Sequence, residues 1–250
     1  MTDRTLPHCL FFDFDGTLSV RGAVSKANVE ALRRVQAAGH KIFLNTGRSR
    51  ANIPDRAFEG IAWDGIVAGY SYAEVGGTVV LEDHLPKEAL LQIKPFCDKY
   101  GFTSIIQGVK VTYIYDRVTP EPFGDDLNSY IEEHYNKMRI TNLDIREMSE
   151  WTGDDEFTGC WHICHSGYTE IIRCGFDKSS GIRAIAAYLG IPLERTVSFG
   201  DSNNDVDMLR CTGTSIIMHT SPAELSEIAS FRTESDENGV AEGIARLFFD

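Results

Sequence analysis

Near its N-terminus the chain reads Leu10-Phe11-Phe12-Asp13-Phe14-Asp15-Gly16-Thr17-Leu18, an apolar run that leads into two acidic residues. The bulk of Leu10 to Phe12 predicts a buried strand, and ligands of α/β folds bind where such strands end. We therefore interpret Asp13 as a candidate nucleophile at a sheet edge, with Gly16 predicting a turn that re-aims Asp15. Two carboxylates this close need a cation between them or a proton on one of them. A solvated, aspartate-rich turn is the alternative.

Length and composition exclude several classes of protein. The 250 residues are enough for one large domain or two of ordinary size, and 42% of them are hydrophobic. A net charge of −13 makes nucleic acid an unfavourable partner, because phosphate contacts need clustered lysines and arginines. No apolar stretch approaches the roughly 18 residues of a membrane span and no signal peptide is recognisable, so we expect a cytoplasmic protein without a membrane partner. Six cysteines without paired spacing favour free thiols in a reducing compartment.

After the acidic turn, the chain alternates strands with helices. Ser25 is placed to cap a helix that ends at Gly39, and Lys41 to Leu44 form the next strand. The polar residues Asn45-Thr46-Gly47-Arg48 break that strand, and we expect a further helix before a strand at Gly65 to Ala68. This rhythm predicts an α/β fold with a doubly wound, mostly parallel sheet.

The character of the sequence changes between about residues 83 and 175. A helical stretch is followed by alternation typical of paired strands at Thr103 to Tyr115, and then by a second unit of helix and strands. The first rhythm returns with a helix and the strand Thr196 to Phe199. We therefore predict a core domain formed by residues 1–82 and 176–250, with 83–175 inserted as an α+β cap domain.

Charged residues recur at the expected strand ends and helix starts. Asp201 follows the strand Thr196 to Phe199, so it reaches the same sheet edge as Asp13 and Asp15. Three carboxylates in one place form an oxygen-rich site of the kind that suits Mg²⁺. Lys178 starts the helix after the insert and supplies a compensating charge, although a lone lysine at such a position is usually a solvated surface residue.

The Thr46-Gly47 turn adds a hydroxyl and an unencumbered backbone amide, which suit a phosphate oxygen. With these motifs in this order, the chain resembles the haloacid dehalogenase superfamily of phosphohydrolases, and within it the Cof-type sugar phosphatases. The resemblance runs from about Cys9 to the C-terminus. It is carried by Asp13-Phe14-Asp15-Gly16-Thr17-Leu18, Asn45-Thr46-Gly47-Arg48, Lys178, Gly200-Asp201-Ser202-Asn203-Asn204-Asp205 and the closing Glu237-Asn238-Gly239-Val240-Ala241.

The resemblance implies a Mg²⁺-dependent phosphatase that acts on a small phosphorylated metabolite, with sugar phosphates as the first expectation. In such enzymes Asp13 would attack phosphorus, and Asp15 would protonate the leaving oxygen and then deprotonate the hydrolytic water. The metal ligands would be Asp13, Asp15 through its backbone carbonyl, and Asp201. The phosphoryl oxygens would contact Thr46, Gly47, Lys178 and Asn204. Behind these residues, Asp205 would orient Lys178 or a metal-bound water, and Arg48 would anchor its loop or touch phosphate.

Several alternatives stay open at the level of sequence. A phosphomutase would return the phosphoryl group to the sugar, and an inactive relative would only bind phosphorylated metabolites. Cys160, His162 and Cys164 share one face of an alternating stretch and suggest a zinc site, against which we weigh a half-buried strand of the cap. Aromatic residues of the insert offer a stacking platform for a sugar ring or ordinary sheet packing; they are Tyr113, Tyr115, Trp151, Trp161 and Tyr168. We expect a monomer or a small homo-oligomer.

Overall fold

The computed structural model describes residues 6–116, 126–148 and 157–250, so Trp151 lies outside the described residues. The strands, in chain order, are β1 (Cys9–Phe12), β2 (Ser19–Val20), β3 (Ala23–Val24), β4 (Lys41–Thr46), β5 (Gly65–Ala68), β6 (Tyr72–Val75), β7 (Thr78–Glu82), β8 (Ser104–Gly108), β9 (Thr112–Tyr115), β10 (Ile140–Arg146), β11 (Cys160–His165), β12 (Tyr168–Arg173), β13 (Thr196–Gly200), β14 (Thr214–Ile217) and β15 (Phe231–Arg232). The helices are α1 (Lys26–Ala37), α2 (Lys87–Leu91), α3 (Ile93–Tyr100), α4 (Leu127–Met138), α5 (Lys178–Leu189), α6 (Val206–Cys211) and α7 (Gly239–Phe248).

The larger sheet has eight strands in the order β15-β14-β13-β1-β4-β5-β6-β7. From β15 to β5 all neighbours are parallel, and β6 and β7 add an antiparallel hairpin at one edge. The hydrophobic residues of β1 are fully buried, with Phe12 packed in one core cluster and Phe11 in the cluster on the opposite face. Burial on both faces is what a continuous apolar strand requires in a doubly wound sheet, so the predicted fold class is confirmed.

The second sheet has five strands in the order β11-β12-β10-β8-β9, all antiparallel. Helices α2, α3 and α4 pack on one of its faces and share a separate hydrophobic cluster with it, which includes Leu90, Ile131 and Leu143. All of these elements come from the stretch between 83 and 175. The division of the chain into a core domain and a cap domain at those residues stays a prediction.

One expectation from the sequence differs from the structure. The helix expected between Arg48 and Gly65 is absent from this described stretch, which instead holds two short 3-10 turns at Arg50–Asn52 and Asp55–Ala57. Pro54 lies between the two turns and supplies no backbone N–H, which prevents a continuous helix there.

Among the described residues, no helix is long and apolar enough to cross a membrane.

Candidate active site

Two parallel strands bring the first acidic residues to one edge of the larger sheet. Asp13 follows β1, and its backbone N–H donates to the carbonyl oxygen of Phe199 in β13 at 2.9 Å. Because β1 and β13 pair in parallel with Phe12 opposite Phe199, the residues after each strand emerge side by side. Asp201 therefore lies next to Asp13, as the order of motifs predicts.

Lys178 stands at the first position of α5 and reaches into this site. Its Nζ donates to Asp13 Oδ1 and to Asp205 Oδ1, both at 2.6 Å, and its side chain is 1% exposed. Burial opposes the charge of Lys178, but the attraction of Asp13 and Asp205 outweighs burial and raises the pKa of the lysine. Asp177 begins the helix by accepting the Ser179 N–H at 2.6 Å, which fixes the start of α5 and with it the lysine. Lys178 is thus a buried, charged residue of the site rather than a solvated one.

Asp205 orients both the lysine and the loop that carries Asp201. While Oδ1 accepts from Lys178, Oδ2 accepts the backbone N–H groups of Asp201 and Ser202 at 2.9 and 3.1 Å. Both oxygens of this fully buried carboxylate are therefore engaged by protein donors. These contacts are those expected of a residue that positions Lys178.

The carboxylate of Asp201 is fixed by the turn that follows β1. Thr17 Oγ1 donates to Asp201 Oδ1 at 2.8 Å. Gly16, at φ +93°, lies so close that a Cβ there would be 2.4 Å from Asp201 Oδ2. Only glycine combines that backbone angle with that proximity, which explains the Asp-Gly-Thr sequence.

The acidic side chains form a group with the chemistry of a metal site. One oxygen from each of Asp13, Asp201 and Asp205 lies within 4.8 Å of the others, the one such group among the described residues. Burial raises the pKa of Asp13 well above its ordinary value, and burial together with Asp205 raises that of Asp201 to about 6. Burial is the largest cause of both shifts, and the neighbouring carboxylates add to it while Lys178 opposes it. Hard carboxylate oxygens with excess negative charge fit Mg²⁺.

Asp15 points away from this group and pairs with Arg48. The guanidinium donates from Nε to Asp15 Oδ2 at 2.6 Å and from Nη2 to Asp15 Oδ1 at 3.0 Å. The pair is partly exposed, with half of the Asp15 side chain accessible. Arg48 therefore forms an ion pair, one of the two roles expected of it from the sequence, and its partner is the proposed acid.

The turn after β4 lies beside the acidic group. Thr46 ends the strand, and its Oγ1 accepts the Arg48 N–H at 3.2 Å. A Cβ on Gly47 would lie 2.8 Å from the hydroxyl oxygen of Tyr70, so glycine keeps this backbone accessible. Asn204, on the other side, has its amide oxygen fixed by the Ser202 hydroxyl at 2.7 Å.

A cavity of about 410 Å³ joins these residues to the five-stranded sheet. From the core it is lined by Asp13, Asp15, Thr46, Gly47, Arg48, Asn52, Tyr70, Lys178, Ser202 and Asn204, and from the second sheet by Gln107, Asp144, Arg146, His165, Tyr168 and Glu170. None of this second set was predicted from the sequence as a site residue, although a stacking role for Tyr168 was left open. One signal for them lies in β10, where polar Asp144 and Arg146 alternate with apolar Leu143 and Ile145.

Direct hydrogen bonds connect the two walls of the cavity. Tyr70 donates from its hydroxyl to Glu170 Oε2 at 2.6 Å. Asn52 Nδ2 donates to Gln107 Oε1 at 3.2 Å, next to the Thr46-Gly47 turn. The second sheet thus covers the sheet edge where the acidic residues lie.

The strand with Cys160, His162 and Cys164 belongs to the outer edge of the second sheet. Within the described ranges, these three side chains do not gather into a group of metal ligands. Cys160 Sγ instead donates to the Thr158 carbonyl at 3.5 Å, and Cys164 Sγ accepts from Thr169 Oγ1 at 3.8 Å. These contacts support the interpretation as a strand of the cap. Of the four aromatic candidates that the structure describes, Tyr168 is the one that lines the cavity.

The larger sheet is doubly wound and carries an aspartate, a buried lysine and further carboxylates at one edge, which the second sheet covers. This combination is typical of a class of hydrolases that act on phosphate esters. Residues 10–244 match the family of haloacid dehalogenase-like hydrolases. The chain belongs to this family.

Relatives and solved structures of nearly the same length agree with that assignment. The chain is 22% identical to the 5-amino-6-(5-phospho-D-ribitylamino)uracil phosphatase YitU of Bacillus subtilis, over 98% of this chain and 99% of the relative. It is 25% identical to the putative phosphatase YkrA of the same organism, over 95% and 96%. The solved structure of the subclass IIB sugar phosphatase BT4131 covers 96% of this chain and 98% of its own, at 26% identity and a TM-score of 0.77. The predicted family and the predicted phosphatase class of enzyme are confirmed.

Proposed function

We propose that this phosphatase hydrolyses small phosphorylated metabolites, sugar phosphates first, in a Mg²⁺-dependent reaction that passes through an aspartyl phosphate on Asp13. The observation that carries the proposal is the buried Lys178, which binds Asp13 and Asp205 beside the carboxylate of Asp201. Burying a lysine with two carboxylates beside a third, half-buried one is costly unless they serve a ligand that carries charge. A phosphate ester with a divalent cation is such a ligand.

The residues that would hold Mg²⁺ are Asp13 and Asp201, together with the backbone carbonyl of Asp15. Asp205 is a poorer candidate as a ligand, because its two oxygens already accept from Lys178 and from backbone amides. When bound, the ion would neutralise charge on the phosphoryl group and on the carboxylates.

The chemistry divides between two aspartates. An oxygen of Asp13 attacks phosphorus and the ester P–O bond breaks, while Asp15 gives its proton to the leaving oxygen. Asp15 then takes a proton from the water that attacks the same phosphorus, and the bond to Asp13 breaks to release phosphate. Asp15 pairs with Arg48 in this structure, so substrate binding has to exchange that ion pair for a contact with the leaving oxygen.

The remaining residues neutralise and orient the phosphoryl oxygens. Lys178 supplies an ammonium, while Thr46, the Gly47 amide and Asn204 offer further donors on both sides of the cavity. Fixed donors of this kind need no rearrangement as charge develops during transfer.

The test is the hydrolysis of p-nitrophenyl phosphate with Mg²⁺. The unaltered protein should be active, lose activity to a chelator and regain it with added Mg²⁺. Asp13→Asn should lower kcat on the order of a thousandfold or more. Asp55→Asn, the same substitution at an exposed position of a 3-10 turn, serves as the control and should match the unaltered protein. Activity retained by Asp13→Asn would overturn the covalent mechanism.

A further inference from the structure

The wall that the second sheet presents to the cavity is polar because of strand alternation. In β10, Leu143 and Ile145 enter the hydrophobic cluster under the helices. Asp144 and Arg146 take the opposite face and line the cavity. Asp144 pairs directly across from Glu170 of β12, so two carboxylates stand side by side in this wall.

Glu170 is occupied by contacts within the protein. Its Oε2 accepts from the Tyr70 hydroxyl at 2.6 Å and lies 3.3 Å from His165 Nε2. Its Oε1 accepts from Asn142 Nδ2 at 2.9 Å. Glu170 thus connects the two walls and has little capacity left for a ligand.

Asp144 differs from Glu170 in having acceptor capacity to spare. Its residue surface is 5% exposed, and Oδ2 accepts from Arg146 Nη2 at 3.1 Å. Its Oδ1 is buried, and among the described residues no donor meets it within the distance and angle of a hydrogen bond; the Gln107 side chain lies near the carboxylate and lowers its pKa without completing such a bond. Burial, with Glu170 adding to it, raises the pKa of Asp144 to about 7. A buried carboxyl oxygen that lacks a donor is costly, and a hydroxyl or amino group of a ligand would satisfy it.

Within the part of the chain that the structure describes, every basic side chain that lines the cavity has an acidic partner. Arg146 binds Asp144, Arg48 binds Asp15, His165 lies against Glu170, and Lys178 binds Asp13. Lys178 faces the position of the transferred phosphoryl group. A second anionic group on the substrate would therefore meet Asp144 and Glu170 without an uncommitted cation to receive it.

We propose that Asp144 determines which leaving group is accepted: an uncharged, hydroxyl-rich or amino-bearing group is bound, and one that carries a carboxylate or a second phosphate is rejected. The proposal rests on the proposed phosphatase function and names the class of its substrate. Donors from the leaving group would bind the Asp144 carboxylate that lines the cavity, whereas an anion would be repelled by it and by Glu170.

The experiment compares sorbitol 6-phosphate with 6-phosphogluconate. Both are open-chain six-carbon phosphates, and they differ in a terminal hydroxymethyl group against a carboxylate. With Mg²⁺, kcat/KM should favour sorbitol 6-phosphate by about tenfold or more. Asp144→Asn removes the charge at nearly constant size. It should lower kcat/KM for sorbitol 6-phosphate and raise it for 6-phosphogluconate, so that the ratio falls at least about fivefold.

The matched control is Glu133→Gln on α4, where the side chain is 75% exposed and does not line the cavity. It makes the same change in net charge, so the ratio of kcat/KM for the two substrates should stay that of the unaltered protein. Asp144→Ser provides a second variant without the carboxylate, and its ratio should move in the same direction as that of Asp144→Asn. Thermal unfolding of each variant checks that the fold is kept.

Equal losses on both substrates in Asp144→Asn and Asp144→Ser would show that Asp144 only supports the wall, and would overturn the proposal. A preference of the unaltered protein for 6-phosphogluconate would also overturn it, as would hydrolysis of p-nitrophenyl phosphate with neither six-carbon ester accepted. These results leave the proposed phosphatase function intact. A protein inactive on all three esters would contradict that function as well.

Discussion

Replacing Asp205 with asparagine should destabilise the folded protein by about 3 kcal/mol. Asp205 is fully buried, and its two oxygens accept from Lys178 Nζ on one side and from two backbone N–H groups on the other. Asparagine keeps one acceptor oxygen and replaces the other with an NH₂ group. This NH₂ group would point either at the Lys178 ammonium or at the two backbone N–H groups, so that donors would face each other. Removing one partner of a buried ion pair costs about 3–5 kcal/mol. The bond from Lys178 to Asp13 persists, which places the loss at the lower end.

The assay is thermal unfolding followed by circular dichroism in a chelating buffer, so that metal binding does not contribute. For a chain of this size, 3 kcal/mol corresponds to a fall in Tm of roughly 6–12 °C. The control is Asp207→Asn, two residues further on in α6 and exposed. Burial, with Asp177 adding to it, raises the pKa of Asp207, so its neutral replacement should change stability by less than about 0.5 kcal/mol.

An Asp205→Asn variant that unfolds within about 1 kcal/mol of the unaltered protein would refute the reasoning. Such a result would mean that Lys178 does not depend on Asp205 for its charge or position. A comparable fall in Tm for Asp207→Asn would equally refute it, because the effect would then belong to the whole helix start rather than to the buried pair.

Three further predictions concern the metal site and the opposite end of the sheet. Gly16→Ala should weaken Mg²⁺ affinity roughly tenfold in a titration of Mg²⁺-dependent thermal stability, because its Cβ would lie 2.4 Å from Asp201 Oδ2. The control Gly22→Ala, at φ +80° with open space around it, has the same backbone strain and should keep the affinity. Saturating Mg²⁺ at about a hundred times its Kd should stabilise the fold by about 2.7 kcal/mol, and an unchanged Tm would contradict binding. Burial, aided by a neighbouring imidazole, lowers the pKa of His40 below its ordinary 6.5. The stability that His40 contributes is therefore complete above pH 6.5 and is lost as the pH falls toward the folded pKa. As the pH is lowered, the denaturant concentration at the unfolding midpoint should decline less in His40→Gln than in the control His219→Gln.

The core of the site was predictable because few arrangements satisfy the sequence. A buried apolar run such as β1 has to lie inside a parallel sheet, and the polar residue after it then has to emerge at the edge where ligands bind. Asp13 and Asp201 follow from that rule, and Lys178, at the start of α5, joins them through its place in the order of the motifs. The structure adds the two contacts of Asp205 and the pairing of Asp15 with Arg48, which depend on side-chain directions that the sequence does not specify.

The second wall of the cavity was missed for a physical reason. Alternation in β10 separates Asp144 from Leu143, but it does not say whether the polar face meets solvent or another domain. The helix expected after Arg48 fails because Pro54 interrupts the hydrogen-bond ladder and leaves two short turns. Tertiary contacts decide the first outcome, and the backbone N–H that Pro54 lacks decides the second.

The central claim is that Asp13 itself accepts the phosphoryl group. Rapid acid quenching during turnover of a sugar phosphate, followed by mass spectrometry of the peptide with Asp13, tests this directly. We expect one phosphoryl group on Asp13 in the unaltered protein, more of it in Asp15→Asn with an activated ester, and none in Asp13→Asn. The claim would be contradicted if the unaltered protein and Asp15→Asn both turned over their esters and neither carried a phosphoryl group on this peptide.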